Sequence, residues 1–94
     1  MPYMYILECA DKTFYTGSTW LLEQRFWEHQ QGKGANYTKT RLPVILVYCE
    51  EYDRIDEAFA REKQVQHWSH RKKKALIEGC YDALPSLAKK SFKH

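Results

Sequence analysis

A chain of 94 residues, 44% hydrophobic and 15% aromatic, is long enough for one compact domain with its own core and too short for two. Its net charge of +3 is modest, and its three cysteines, Cys9, Cys49 and Cys80, are odd in number and widely spaced, which argues against a disulfide framework. No apolar stretch approaches the length of about 20 residues that spans a bilayer, and Met4–Leu7 is too short for a signal peptide, so a cytoplasmic protein with reduced thiols and no membrane association is expected.

Tyr3–Cys9 is rich in strand formers, Ala10–Lys12 is a turn signal, and Thr13–Gly17 is a second short strand, which together predict a hairpin. Tyr5 and Tyr15 share a sheet face only if the loop is odd in length, as Ala10–Lys12 is. Gly17 lets the chain leave the strand sharply. Ser18 or Thr19 can cap a helix that runs to about Gln31 and stops at Gly32. In it, Leu22 and Phe26 point to the core, while Leu21, Arg25 and His29 form a neighbouring line at i, i+4, i+8. Gly32 to Pro43 reads as a loop. Val44–Tyr48 is the most strand-like run and is apolar on both faces, so it is covered on both sides or paired deep in the sheet.

Asp53 is the expected cap of an amphipathic helix reaching Trp68. Ile55, Ala58, Phe59 and Val65 recur at spacings of three and four and place Glu62 on the same face. A buried, unpaired carboxylate is costly, so Glu62 on that stripe calls for a cation, an Arg or a metal ion; the alternative is a Glu at the stripe's edge, ion-paired or solvated. Ser69 precedes a further helix with Ala75, Leu76 and Ile77, which Gly79 ends. Pro85 opens a last short turn or helix, and residues 89–94 form a basic tail. The reading is one α+β domain over residues 1–88, a three-stranded antiparallel sheet flanked by helices in the order β-β-α-β-α-α.

Positive charge gathers at Arg71–Lys74, at the chain end (Lys89, Lys90, Lys93), and around the glycine loop (Arg25, Lys33, Lys39, Arg41). Acidic residues sit mostly elsewhere, as at Glu50-Glu51. Such a split fits a polyanion, with nucleic acid the commonest; a solvated helix face of ordinary lysines accounts equally well for Arg71–Lys74. Cys80 with His67 and His70 has no recognised zinc-ligand spacing. Tyr5, Tyr15, Arg25, His29 and Glu62 are the parts of a phosphodiester-hydrolysing site. A planar guanidinium grips phosphate, a phenol or imidazole positions or deprotonates water, and a carboxylate holds a metal.

Tyr3-Met4-Tyr5, then Tyr15-Thr16-Gly17, then Leu22, Arg25 and His29, then Gly32-Lys33-Gly34-Ala35, Tyr37-Thr38 and Leu42-Pro43-Val44, then Arg61–Val65 and Trp68-Ser69 with Lys72-Lys73 and Ala75–Gly79, form an ordered set. It resembles the GIY-YIG nuclease superfamily, and within it the small stand-alone bacterial proteins related to the nuclease domain of the excision-repair machinery. The resemblance spans Tyr3 to about Ala88. It implies a three-stranded antiparallel sheet and a divalent metal, Mg²⁺ or Mn²⁺, on Glu62. It also implies Tyr5 as general base or water-positioner, Tyr15 and His29 in support, and Arg25 on the phosphate. A lone carboxylate suits Mg²⁺, which keeps most of its waters. The chain departs from the pattern at Tyr3 (for the glycine), Met4 (for the isoleucine) and Thr16, and its only Asn is Asn36, with none after Glu62. The implied function is metal-dependent endonucleolytic cleavage of DNA, with a repair role. Phosphate contacts would come from Lys33, Lys39, Arg41, Arg71, Lys72, Lys73 and Lys74. The alternatives are a nucleic-acid-binding module with weak or lost cleavage, and a protein-interaction module using Trp20, Trp27 and Trp68, tryptophans that read more readily as core or edge packing.

Overall fold

The computed structural model describes residues 1–79. The expectations for Cys80, Pro85, the domain end near residue 88 and the tail 89–94 lie outside the described residues. Three strands, β1 (Tyr3–Glu8), β2 (Phe14–Thr19) and β3 (Ile45–Glu51), form one antiparallel sheet in the order β2-β1-β3. The helices are α1 (Leu22–Gln30), α2 (Asn36–Lys39), α3 (Ile55–Gln66) and α4 (His70–Ile77). The expected α+β architecture and element order hold, with one addition. The loop 32–43 contains the single turn α2, in which the Thr38 hydroxyl bonds back to the Ala35 carbonyl at 3.0 Å.

The hairpin loop closes over three residues, with Cys9 N–H donating to Thr13 O at 2.8 Å and Lys12 in the left-handed region at φ 72°. That odd loop pairs Tyr5 with Gly17 and Leu7 with Tyr15, so both tyrosines stand on one face. Gly17 has a different role from the one expected. The strand runs on to Thr19, and Gly17 is needed because a Cβ there would lie 2.5 Å from the Tyr5 hydroxyl.

The central strand is β1, covered on both faces: Met4, Tyr5, Ile6 and Leu7 are all buried. Met4 and Ile6 pack with Tyr48, Tyr52, Ala58, Val65 and Leu76 beneath α3 and α4, whereas Tyr5 and Leu7 pack with Val44, Cys49, Leu22 and Phe26 beneath α1. The strongly apolar β3 is an edge strand. Its side chains serve both layers, Leu46 and Cys49 packing on one and Val47 and Tyr48 on the other, and a bulge at Val47 shifts its register, so that Ile6 faces Tyr48 and Leu7 faces Leu46.

Helix caps differ in part from expectation. Ser69 caps α4 by accepting from Lys72 N–H at 3.1 Å, and Gly32 (φ 76°) and Gly79 (φ 80°) follow helix ends as expected. Arg54, not Asp53, is the N-cap position of α3, without a side-chain bond. Leu21 occupies that position for α1, and its N–H is taken by the Thr19 hydroxyl at 3.1 Å. Trp20 and Trp27 are exposed instead of core or edge packed, and Trp68 is half-buried under Arg61 and Lys72.

The inner face of α3 is Ala58, Arg61 and Val65, and Phe59 is half exposed. Arg61 is buried, its Nε donating to Glu50 Oε1 at 3.0 Å and its second nitrogen to Oε2 at 3.3 Å. The hydroxyls of Tyr48 and Tyr52 donate to the same carboxylate at 2.7 and 2.6 Å. Glu50 is wholly buried, with four donors. Breaking such a pair from one side leaves an uncompensated charge, so Arg61→Met is expected to cost about 3–5 kcal/mol in urea unfolding. The double variant Arg61→Met with Glu50→Gln should recover part of that loss. Losses that simply add would rule out charge pairing as the cause.

Candidate active site

A cleft of about 500 Å³ opens where β2 hands over to α1 and where α3 crosses the sheet. Tyr5 comes from β1, Tyr15 and Ser18 from β2, Arg25 and Glu28 from α1, and Glu62 from α3. Four of the five residues expected in the reacting set, Tyr5, Tyr15, Arg25 and Glu62, thus line one cleft. His29 stands behind it, fully buried, with ring centroids 5.8 Å from Tyr5 and 5.2 Å from Tyr15. The two tyrosine rings are 6.5 Å apart, tilted at 45°.

The hydrogen bonds behind the cleft fix a direction. The Thr38 hydroxyl, whose proton goes to the Ala35 carbonyl, lies 2.8 Å from His29 Nδ1. Nδ1 therefore carries the proton and donates to Thr38, which leaves the Nε2 lone pair to accept the Tyr5 phenol proton at 2.9 Å. Gly34 makes room for this ring, since a Cβ there would overlap it. Burial, and secondarily the charge of Arg25, push His29 down to about 4, so it is neutral at pH 7. Burial pushes the Tyr5 phenol up to about 12, against the pull of Arg25, so Tyr5 keeps its proton. Burial likewise raises Tyr15, with Glu62 adding to the rise.

Arg25 is held by Glu28, Nη1 to Oε1 at 3.0 Å, one turn along its own helix. Glu62 has a side chain only 13% exposed and lies at the edge of the core, not on its apolar stripe. Ile55, Phe59 and Glu62 form a second stripe that faces the cleft. The Ser18 hydroxyl donates to Glu62 Oε1 at 2.6 Å, and Oε2 lies 4.0 Å from Lys63 Nζ. Among the described residues no three His, Cys, Asp or Glu side chains cluster as a metal cage. A single carboxylate with one oxygen steadied by a hydroxyl fits a cation that retains its waters, as Mg²⁺ does, and does not fit a tetrahedral zinc site. Ser18, Glu28 and Thr38 escape a reading of the sequence. Each is a common polar residue whose role arises only from a partner distant in the chain or one helical turn away.

The basic residues differ in exposure and in partners. Lys33 and Lys39 are exposed at the loop, Lys33 lying 5.6 Å over Trp27. Arg41 is already paired with Asp11 at 3.0 Å and stacked 3.9 Å over Tyr37. Arg71, Lys72 and Lys74 are exposed, but Lys73 is buried on the inner side of α4 and is no part of a solvated basic run.

The family model described as the GIY-YIG catalytic domain matches residues 1–75. The chain is 46% identical over 76 residues to a UPF0213 protein of Staphylococcus haemolyticus, covering 81% of this chain and 93% of that one. It is 49% identical over 77 residues to a UPF0213 protein of Syntrophus aciditrophicus, covering 81% and 88%. The solution NMR structure of a UPF0213 protein from Bacillus halodurans superposes with a TM-score of 0.53 at 43% identity, over 83% of this chain and 84% of that one.

The His29 relay predicts an acid limb of stability. Because folding lowers its pKa, the unfolded chain takes up the proton more readily. The contribution is complete above about 6.5 and is lost as pH falls towards about 4. Urea midpoints measured between pH 7 and pH 4 should therefore fall more steeply for wild type than for His29→Gln. Equal slopes would exclude a buried neutral imidazole.

Proposed function

The chain belongs to the GIY-YIG catalytic-domain family, and on that premise we propose that it is a metal-dependent endonuclease that hydrolyses phosphodiester bonds in nucleic acid, with DNA as the substrate. The family is one of nucleases, generally metal-dependent, whose substrate is nucleic acid. The observation that carries the proposal is the convergence of Arg25, Glu62 and the Tyr5–His29 relay on one cleft.

Glu62 would hold the divalent ion, its carboxylate steadied by the Ser18 hydroxyl. When bound, such an ion neutralises the phosphate and stabilises the departing oxygen. The remaining steps fall to the chain's own side chains. Arg25, kept in place by Glu28, presents its guanidinium to the phosphate oxygens, where charge builds up in the transition state. Tyr5 has its proton committed to His29, so its oxygen lone pair is available to the attacking water. As the water oxygen bonds to phosphorus, the bond from phosphorus to the departing oxygen breaks. The water's proton passes to the Tyr5 oxygen while the phenol proton moves to His29 Nε2, and the departing oxygen takes a proton from solvent. Neutral His29 is ready for that transfer because burial keeps it unprotonated. Tyr15 walls the cleft beside Tyr5.

The cytoplasmic setting belongs to the same proposal. It is supported by Cys9 and Cys49, which are free and buried, and by the lack of any helix, among the described residues, long and apolar enough to cross a membrane. A binding module with weak or lost cleavage is the second reading. The observation in its favour is that the chain's only Asn is Asn36, with none after Glu62.

Purified protein incubated with Mg²⁺ or Mn²⁺ and a panel of duplex, flap, junction and single-stranded substrates tests the proposal. Glu62→Gln should abolish cleavage while leaving the melting temperature unchanged or higher, since a poorly solvated charge is removed. Full cleavage by that variant would make Glu62 structural. In the same assay Arg25→Ala should lower kcat by about 10²–10³ with a smaller effect on KM, as for a lost oxyanion donor. Arg25→Lys should restore only part, because the planar fork is missing. Equal losses of binding and turnover would mean that Arg25 grips substrate and transition state alike.

A further inference from the structure

Beyond the candidate active site, one cation is placed in a way the hydrolytic machinery leaves unused. Lys73 is 8% exposed on the inner face of α4, and among the described residues no carboxylate pairs with it. Burial therefore depresses its pKa, with no neighbouring charge offsetting the shift. Thr16, on the adjacent edge strand β2, has a buried hydroxyl that finds no hydrogen-bond partner. Two such groups are costly where they stand. Both line a second cleft, of about 270 Å³, completed by Phe14, Tyr15, Tyr37 and Gln66. Its side chains offer an ammonium, hydroxyls and an amide, and no carboxylate. That is the chemistry of an anion site. Tyr15 lines this cleft as well as the one that holds Arg25 and Glu62, so the two clefts meet at Tyr15. Tyr37 stacks on it at 6.2 Å and 25°, with Arg41 over the ring of Tyr37.

We propose that Lys73 and Thr16 form a second phosphate subsite, which receives a backbone phosphate of the same strand on the far side of Tyr15 from the scissile one. The subsite rests on the nuclease reading only for the identity of the strand. Its own claim is a directional grip. The strand is held at two phosphates with Tyr15 between them, so the scissile linkage is registered against Glu62 and Arg25. Lys73 supplies the charge and Thr16 the second donor.

The test is metal-free binding of a short oligonucleotide, measured by fluorescence anisotropy across salt concentration, with one linkage at a time changed to an uncharged methylphosphonate. In wild type, one linkage beside the scissile position should be sensitive. Lys73→Met should flatten the salt dependence by about one unit. In that variant, neutralising the same linkage should have no further effect. Lys73→Arg should restore the sensitivity. Losses that add across Lys73→Met and every neutral linkage would overturn the subsite, as would a wild-type scan with no sensitive linkage besides the scissile one. The scan needs no variant, so it decides even if Lys73→Met folds poorly. Wild type that shows a sensitive linkage whose effect Lys73→Met abolishes and Lys73→Arg restores, yet cleaves nothing, removes the nuclease reading and leaves the anion subsite standing. Cleavage with additive losses removes the subsite alone. No binding to any nucleic acid removes both.

Discussion

The buried contact between Arg61 and Glu50 sets the rotation of α3 and, with it, where Glu62 points. Successive residues on a helix are turned by about 100°, so a helix whose Arg61 is anchored against the sheet must present residue 62 to one side. That side is the cleft, where Ser18 meets the Glu62 carboxylate at 2.6 Å. The four donors around Glu50 come from β3, from the residue just after it and from α3, so the same contact joins edge strand to helix. A hydrophobic pair could hold the helix with equal strength, but it would fix the angle less sharply than a two-point guanidinium contact.

The other half of the site hangs on β1. Its alternation sends Met4 and Ile6 to one layer and Tyr5 and Leu7 to the other, so Tyr5 is at once a core residue and a wall of the cleft. The two glycines that accommodate the relay, Gly17 beside Tyr5 and Gly34 beside His29, are required by close approach. Tyr5, His29 and Thr38 then form a single hydrogen-bonded line ending on the Ala35 carbonyl, which fixes the imidazole tautomer without any charged partner. The short helix α2, which brings Thr38 to His29, gives the glycine loop its structural purpose.

Local signals carry the fold a long way. Strand-forming runs around an odd-length turn fix the hairpin register, and Ser69, Gly32 and Gly79 mark helix boundaries where they fall. The stripe on α3 misleads in one respect. Phe59 counts with the core because it is apolar, and Arg61 is passed over because it is charged. Periodicity alone cannot tell a core-facing stripe from the one beside it when a buried cation replaces an apolar residue. Val44–Tyr48 misleads in a similar way, since an edge strand whose two faces both pack on core layers reads as continuously apolar.

What the sequence determined by itself was the set of chemical groups and their order: two tyrosines on one sheet face, an Arg and a His one turn apart, and a carboxylate on a distant helix. These follow from periods of two and 3.6 residues, which are local properties of the backbone. Only the tertiary structure decided that His29 stands behind the cleft, that Ser18 holds Glu62, that Glu28 holds Arg25 beside the phenols, and that Lys73 is buried while its neighbours are solvated. Most of those outcomes depend on which elements pack together across gaps of 24 to 44 residues. Burial there comes from surfaces that no local pattern specifies.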